Sequence, residues 1–205
     1  MLIPLLLTLL GEEAGGAKRW LDMGVFIVNA AMLVLPALLV VMNRTKVPFL
    51  VSLLAALVLC LQTDLSQLVA FATAALPILW LREKKVLWRV ISVVALGAAV
   101  VWCMRVPVTL EPVAYCEGIL TMLDDISWVL KGVGWIALLV IPAFFLYGFG
   151  KQKKAYLLSL GIYYLVSMLF ALTGEYPVLF MGFGLSPITG FAIACICCGI
   201  ESCKD

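Results

Sequence analysis

Two short polar strings carry residues whose types and spacing can do chemistry: Gly-Ala-Lys-Arg-Trp-Leu-Asp-Met-Gly at residues 16–24, and Gln-Thr-Asp-Leu-Ser at residues 62–66. Lys18 and Arg19 beside the Trp20 indole suit a phosphate at lipid-headgroup depth. A guanidinium grips phosphate through two parallel hydrogen bonds, and Trp favours the membrane–water boundary. The competing reading pairs these cations with the acids Glu12, Glu13, Asp22 and Asp64. Gln62 and Asp64 stand where one apolar run ends and the next begins. The Asp64 carboxylate therefore either caps the helix that starts at Leu65, with Gln67 completing a capping box, or binds a ligand together with Gln62. A third group, Asp124 and Asp125, precedes another apolar run. A carboxylate there can act as a general base, or it can cap the helix that carries Trp128. Asp124 and Lys131 share one face if the helix has begun by Asp124.

The elements that position these residues are apolar runs. With 65% hydrophobic and 13% charged residues in 205 and a mean hydropathy of +1.16, the chain lies far from soluble composition, where about a quarter of residues are charged. Polar breaks divide it into runs at residues 2–10, 25–42, 47–61, 65–81, 86–104, 128–149, 155–172 and 178–200. A helical span needs about 20 apolar residues. The first run is too short to cross unaided and reads as a half-helix or re-entrant anchor, or as the trace of a start upstream of Met1. The runs are continuous rather than alternating, which argues against a strand barrel. The expectation is all-α: a polytopic transmembrane helix bundle over residues 1–205, one domain of seven full spans plus a short N-terminal hydrophobic segment.

Charge orients the bundle. Asn43-Arg44-Thr45-Lys46, Arg82-Glu83-Lys84-Lys85 and Lys151-Gln152-Lys153-Lys154 follow every second run, and Lys204 lies in the tail. Basic loops are retained in the cytoplasm, so these loops and the C-terminus are expected inside. Lys18, Arg19, Asp64, the loop from Arg105 to Asp125 and Glu175 are then expected outside.

Several chemistries find no residues here. The chain has no His to serve as a neutral-pH base or to complete a metal site with the seven cysteines. Cys195, Cys197 and Cys198 splay around one helix and read as small packing residues. Cys103 and Cys116 flank the longest polar loop, and their spacing does not settle whether they pair. No phosphate-cradling glycine loop, Ser/His/Asp triad or nucleic-acid-binding basic face is present at a net charge of +2. A transporter would place charges near the membrane midplane, for which Lys131 is the one candidate.

The strings at residues 16–24 and 62–66, followed by Gly-Leu-Ser-Pro-Ile-Thr-Gly at residues 184–190 before the last run, resemble the FtsW/RodA/SpoVE (SEDS) family. These are polytopic glycosyltransferases of cell division and cell shape that polymerise lipid-linked peptidoglycan precursor. The first string is close to the family's Gly-Ala-x-Arg-Trp pattern and the second to its Gln-Pro-Asp-Leu-Gly-Thr pattern, with Thr63 and Ser66 in place of Pro and Gly. The family's large outer loop is reduced here to about twenty residues. Asp125, with its neighbour Asp124, is the best positional match to the family's catalytic Asp. The resemblance implies a bacterial inner-membrane protein of peptidoglycan synthesis. In that scheme Asp124 or Asp125 deprotonates the acceptor hydroxyl, and Lys18, Arg19, Trp20, Gln62 and Asp64 bind the polyprenyl-diphosphate-linked donor. It implies no organic cofactor, leaves a divalent cation open, and implies a single-pass transpeptidase partner. A non-catalytic membrane module that binds the precursor or a partner's transmembrane helix remains the alternative.

Overall fold

The computed structural model describes residues 2–11, 13, 15–22, 24, 27–109, 115–181 and 184–203. In chain order the elements are α1 (Ile3–Leu7), β1 (Trp20–Asp22), β2 (Ile27–Asn29), α2 (Ala30–Met42), α3 (Pro48–Leu61), α4 (Leu65–Arg82), α5 (Val86–Cys103), α6 (Ile119–Ile126), α7 (Trp128–Gln152), α8 (Ala155–Phe170) and α9 (Leu185–Ser202). Five of these, α4, α5, α7, α8 (with the turn to Thr173) and α9, are long and apolar enough to cross a membrane. The chain is a helical, multi-pass membrane protein.

The remaining two expected spans, α2 and α3, have 13 and 14 residues, or about 20 Å at 1.5 Å per residue. That is short of a hydrocarbon core of about 30 Å. For α2 the reason is local. Residues 25–42 read as one run, yet Ile27–Asn29 is spent on a strand that pairs antiparallel with Trp20–Asp22, Trp20 opposite Asn29. The Asn29 side chain then caps α2 by accepting from Met32 N at 3.1 Å. The Asp22 carboxylate accepts from Gly24 N at 2.7 Å, and Gly24 has φ +79°, a conformation that glycine adopts without strain. This hairpin is a small departure from the all-α expectation. The final run is also shorter as a helix than expected: α9 begins at Leu185 rather than near Val178.

Two helices form the centre. Of the apolar stretches, α4 is 56% and α8 61% buried, against 17% for α5 and 22% for α7. The inner pair is therefore wrapped by protein and the outer pair is left to lipid. Phe71, Ala74, Ala75 and Ile78 of α4 meet Leu160, Tyr163 and Tyr164 of α8 in the main core. Close approach of α2 and α9 depends on Gly190. A Cβ there would overlap the Met32 carbonyl oxygen and crowd Leu33, which is the small-residue packing of membrane helices. Pro36, Pro77 and Pro142 sit inside α2, α4 and α7 and are tolerated there. The N-terminal run is a five-residue helix continued by a tight turn at Thr8–Leu10. Leu5 is fully buried in the core, which makes the segment an anchor against α2 and α3.

The bundle has two chemically distinct ends. One, the motif end, gathers the N-terminal segment, the α3–α4 turn, the end of α5 and the start of α7. The other, the basic end, gathers Arg44, Lys46, Arg82, Lys84, Lys85, Lys151, Lys153 and Lys154. There Arg44 pairs with Glu201 of α9, and Arg89 Nε donates to the Glu83 carbonyl at 2.7 Å.

Candidate functional site

The α3–α4 turn has three residues, and each is tied to the N-terminal segment. Gln62 Nε2 donates to the Leu5 carbonyl at 2.9 Å and to Thr8 Oγ1 at 2.5 Å, while the Gln62 carbonyl accepts from Lys18 N at 3.2 Å. Thr63 adopts φ +54°, an uncommon conformation for a β-branched residue. Its hydroxyl donates to the Gly16 carbonyl at 2.7 Å, which helps hold the turn there. Proline is fixed near φ −65°. This turn is therefore built differently from one made by the Gln-Pro-Asp sequence that the chain resembles.

Asp64 caps α4. Its Oδ1 accepts from Gln67 N at 3.3 Å and from Ser66 Oγ at 3.0 Å. The expected capping box does not close, because Gln67 Oε1 instead accepts from the Tyr163 hydroxyl of α8 at 2.5 Å. Arg19 Nη2 donates to the Thr63 carbonyl at 2.8 Å, and Arg19 Nε faces Asp64 Oδ2 at 3.9 Å. Neither of those two facing atoms has a hydrogen-bond partner. The side chains are only 8% and 2% exposed, so the pair is a buried ionic clasp joining two strings that lie more than forty residues apart. Such a pair is retained only when each charge has its counterpart close by.

The other expected binding residues stand at the rim. Lys18 is half-buried and 3.8 Å from Glu13, and Trp20 is half-buried at the start of β1. Of the alternatives read from sequence, Arg19 took Asp64 and Lys18 took Glu13. Thr109 N donates to the Gly15 carbonyl at 2.9 Å, and Val178 N to the Cys116 carbonyl at 3.1 Å, which stitches the loops across this end. Cys103 and Cys116 are free thiols. Tyr176 lies near the clasp: burial pushes its phenol above the ordinary tyrosine range, with Arg19 opposing and Asp64 adding to the rise.

Asp124 and Asp125 are brought to the same end but not to the clasp. Both are exposed on α6, and Asp124 Oδ2 accepts from Lys131 Nζ at 2.7 Å. The two are seven residues apart and linked across the α6–α7 junction rather than along one continuous helix. Neither aspartate caps α7; Ser127 does, its hydroxyl accepting from Val129 N at 3.2 Å. The α6 helix packs on α7 in a satellite cluster with Leu120, Leu138 and Val178. Among the described residues no ion pair or hydrogen bond links these carboxylates to Lys18 or Arg19.

The donor set does not suit a divalent cation. Asp64 and Glu13 each already face a basic side chain, and among the described residues no three His, Cys, Asp or Glu side chains come together.

Sequence reading missed Thr8, Tyr163 and Ser186. Ser186, within the third string, accepts from Asn29 N at 2.9 Å through its hydroxyl and so seats α9 on the start of α2. Asp22-Met23-Gly24 between Trp20-Leu21 and Val25-Phe26-Ile27 was a legible hairpin signal. Gly182 and Phe183 lie outside the described residues, as does Glu111 of the long loop. No protein-family model matches the chain, and neither does any curated protein.

Proposed function

We propose that the chain is a SEDS-like protein of the bacterial inner membrane that binds a polyprenyl-diphosphate-linked cell-wall sugar at its motif end. The observation that carries this reading is the junction of Arg19 with Thr63 and Asp64. It draws together, at one end of the bundle, two of the three strings on which the resemblance stands. In this reading α2 and α3 are short spans that complete a set of seven, and the basic end faces the cytoplasm by charge retention.

The residues divide the work by exposure. Arg19, Gln62 and Asp64 are buried and act as positioning residues that hold the rim. Lys18, half-buried and held by one exposed acid, is the cation free to exchange Glu13 for a diphosphate, with Trp20 at headgroup depth. Purified protein should bind a fluorescent polyprenyl diphosphate. Lys18→Ala should weaken that binding about tenfold, the loss of one charge-assisted contact worth ~1.5 kcal/mol. Unchanged affinity would sink the assignment.

Glycosyl transfer is the second reading, favoured by the Asp124–Lys131 pair at the same end. In this reading the Asp124 carboxylate takes the proton of an acceptor hydroxyl. The acceptor oxygen would then attack the anomeric carbon, and the diphosphate would leave with the polyprenyl chain. Polymerisation of lipid-linked disaccharide by the wild type, lost in Asp124→Ala/Asp125→Ala, would support transfer. Binding without polymer would leave a precursor-binding module, one that can sit beside a single-pass transpeptidase.

A further inference from the structure

A groove of about 330 Å³ opens at the basic end, between the C-terminal turns of α7 and α9 and the first turn of α8. Its walls are apolar, with Phe144, Phe145, Leu157 and Cys198 among them, and Lys151 and Ser202 also line it. Tyr156 belongs to the same wall. It is 1% exposed, and its hydroxyl has no hydrogen-bond partner, a costly arrangement for a buried polar group. The first turn of α8 has no side-chain cap, so its N–H groups present partial positive charge at the groove. Lys151 makes no ion pair among the described residues and lies 5.6 Å from the Tyr147 ring. Glu201, the acid closest in sequence to the lining of α9, is taken by Arg44.

We infer that this groove is a binding site for an anionic phospholipid of the leaflet at the basic end. One acyl chain lies along the apolar wall, and the phosphate rests between Lys151 and the start of α8. Three features at one end of the bundle select that occupant: an apolar trough opening at the end of membrane-spanning helices, an unopposed ammonium at its edge, and the uncapped first turn of α8 with the partnerless Tyr156 hydroxyl buried behind it. A zwitterionic lipid would satisfy the trough but would bring its own cation to Lys151. Basic pockets between membrane helices are a recurrent way of holding anionic headgroups.

The test uses the whole protein in detergent micelles, with thermal unfolding read by tryptophan fluorescence during titration with phosphatidylglycerol or with phosphatidylcholine of the same chains. Native mass spectrometry counts the lipids retained. Phosphatidylglycerol should raise the unfolding temperature saturably and phosphatidylcholine should not. Lys151→Gln, an exposed change, should weaken the effect at least tenfold, whereas Lys84→Gln, exposed on another loop of the same end, should not. Gly199→Leu should fill the trough, since a Cβ at Gly199 meets nothing within 4 Å. Ser202→Trp blocks the mouth from an exposed position and serves if the first variant folds poorly. Equal stabilisation by both lipids, equal loss in Lys84→Gln, or full binding in a folded blocking variant would overturn the inference.

Discussion

Removing the Arg19 cation isolates what the buried clasp contributes. In Arg19→Met the volume is roughly kept, but Asp64, 1% exposed, is left as an uncompensated buried carboxylate. Breaking a buried pair from one side costs about 3–5 kcal/mol. Two observations place this pair at the lower end of that range. Its closest approach is 3.9 Å with no hydrogen bond between the facing atoms, and the other carboxylate oxygen is already served by Ser66 and Gln67. The expected loss is about 3 kcal/mol, roughly 150-fold in the folding equilibrium. Asp64→Asn keeps the capping oxygen but strands the guanidinium. The double variant removes both charges and should recover all but about 1 kcal/mol, the worth of the Arg19–Thr63 hydrogen bond. Equilibrium unfolding in mixed micelles on all four proteins gives the coupling energy, expected to exceed about 2 kcal/mol by the cost of Asp64→Asn alone. Single variants that each stay within about 0.5 kcal/mol of wild type, or strictly additive losses, would refute the claim that this pair holds the N-terminal segment to the α3–α4 turn.

Other outcomes follow from the same geometry. Tyr163→Phe leaves Gln67 Oε1 buried without its donor and should cost about 1–3 kcal/mol. Tyr164→Phe removes a hydroxyl that has no partner and should be near neutral on the same unfolding assay. Gly190→Ala forces α2 and α9 apart at Met32 and should cost about 1–3 kcal/mol as overpacking, while Gly199→Ala, with open space for its Cβ inside α9, should cost nothing and can stabilise by up to about 1 kcal/mol. Lys131→Met breaks an ion pair whose side chains are 38% and 44% exposed, and it should cost under about 1 kcal/mol in stability. Because burial raises the Tyr176 phenol above its reference value of 10.0, its contribution to stability is fully present below that pH and is lost as pH rises toward the folded-state value. The alkaline fall in stability should be shallower in Tyr176→Phe, and identical slopes would count against the raised phenol.

The amino-acid sequence by itself determined the class of molecule. The continuous apolar runs and the placement of lysines and arginines reappear as the helices and as the basic end of the bundle, because transfer of apolar side chains and exclusion of charge act residue by residue. The Asp64 cap was legible for the same reason: a cap is a contact between positions three apart. What the runs could not show is where a helix yields to another structure. Residues 25–29 are apolar enough to extend α2, but Ile27–Asn29 went to a strand once Trp20–Asp22 was available as its partner.

Only the tertiary structure decided what each polar residue does. Lys18 and Arg19 are adjacent and equally cationic in the sequence, yet one is buried against Asp64 and the other half-exposed beside Glu13. Gln67 had a legible role as a box partner and was taken by Tyr163, 96 positions away. The Asp124–Lys131 pair, legible as a seven-residue spacing, forms across the junction of α6 and α7 and not along one helix. A polar group entering a medium without water must take whichever partner the packed helices bring within reach. That choice belongs to the whole bundle and not to any one string of residues.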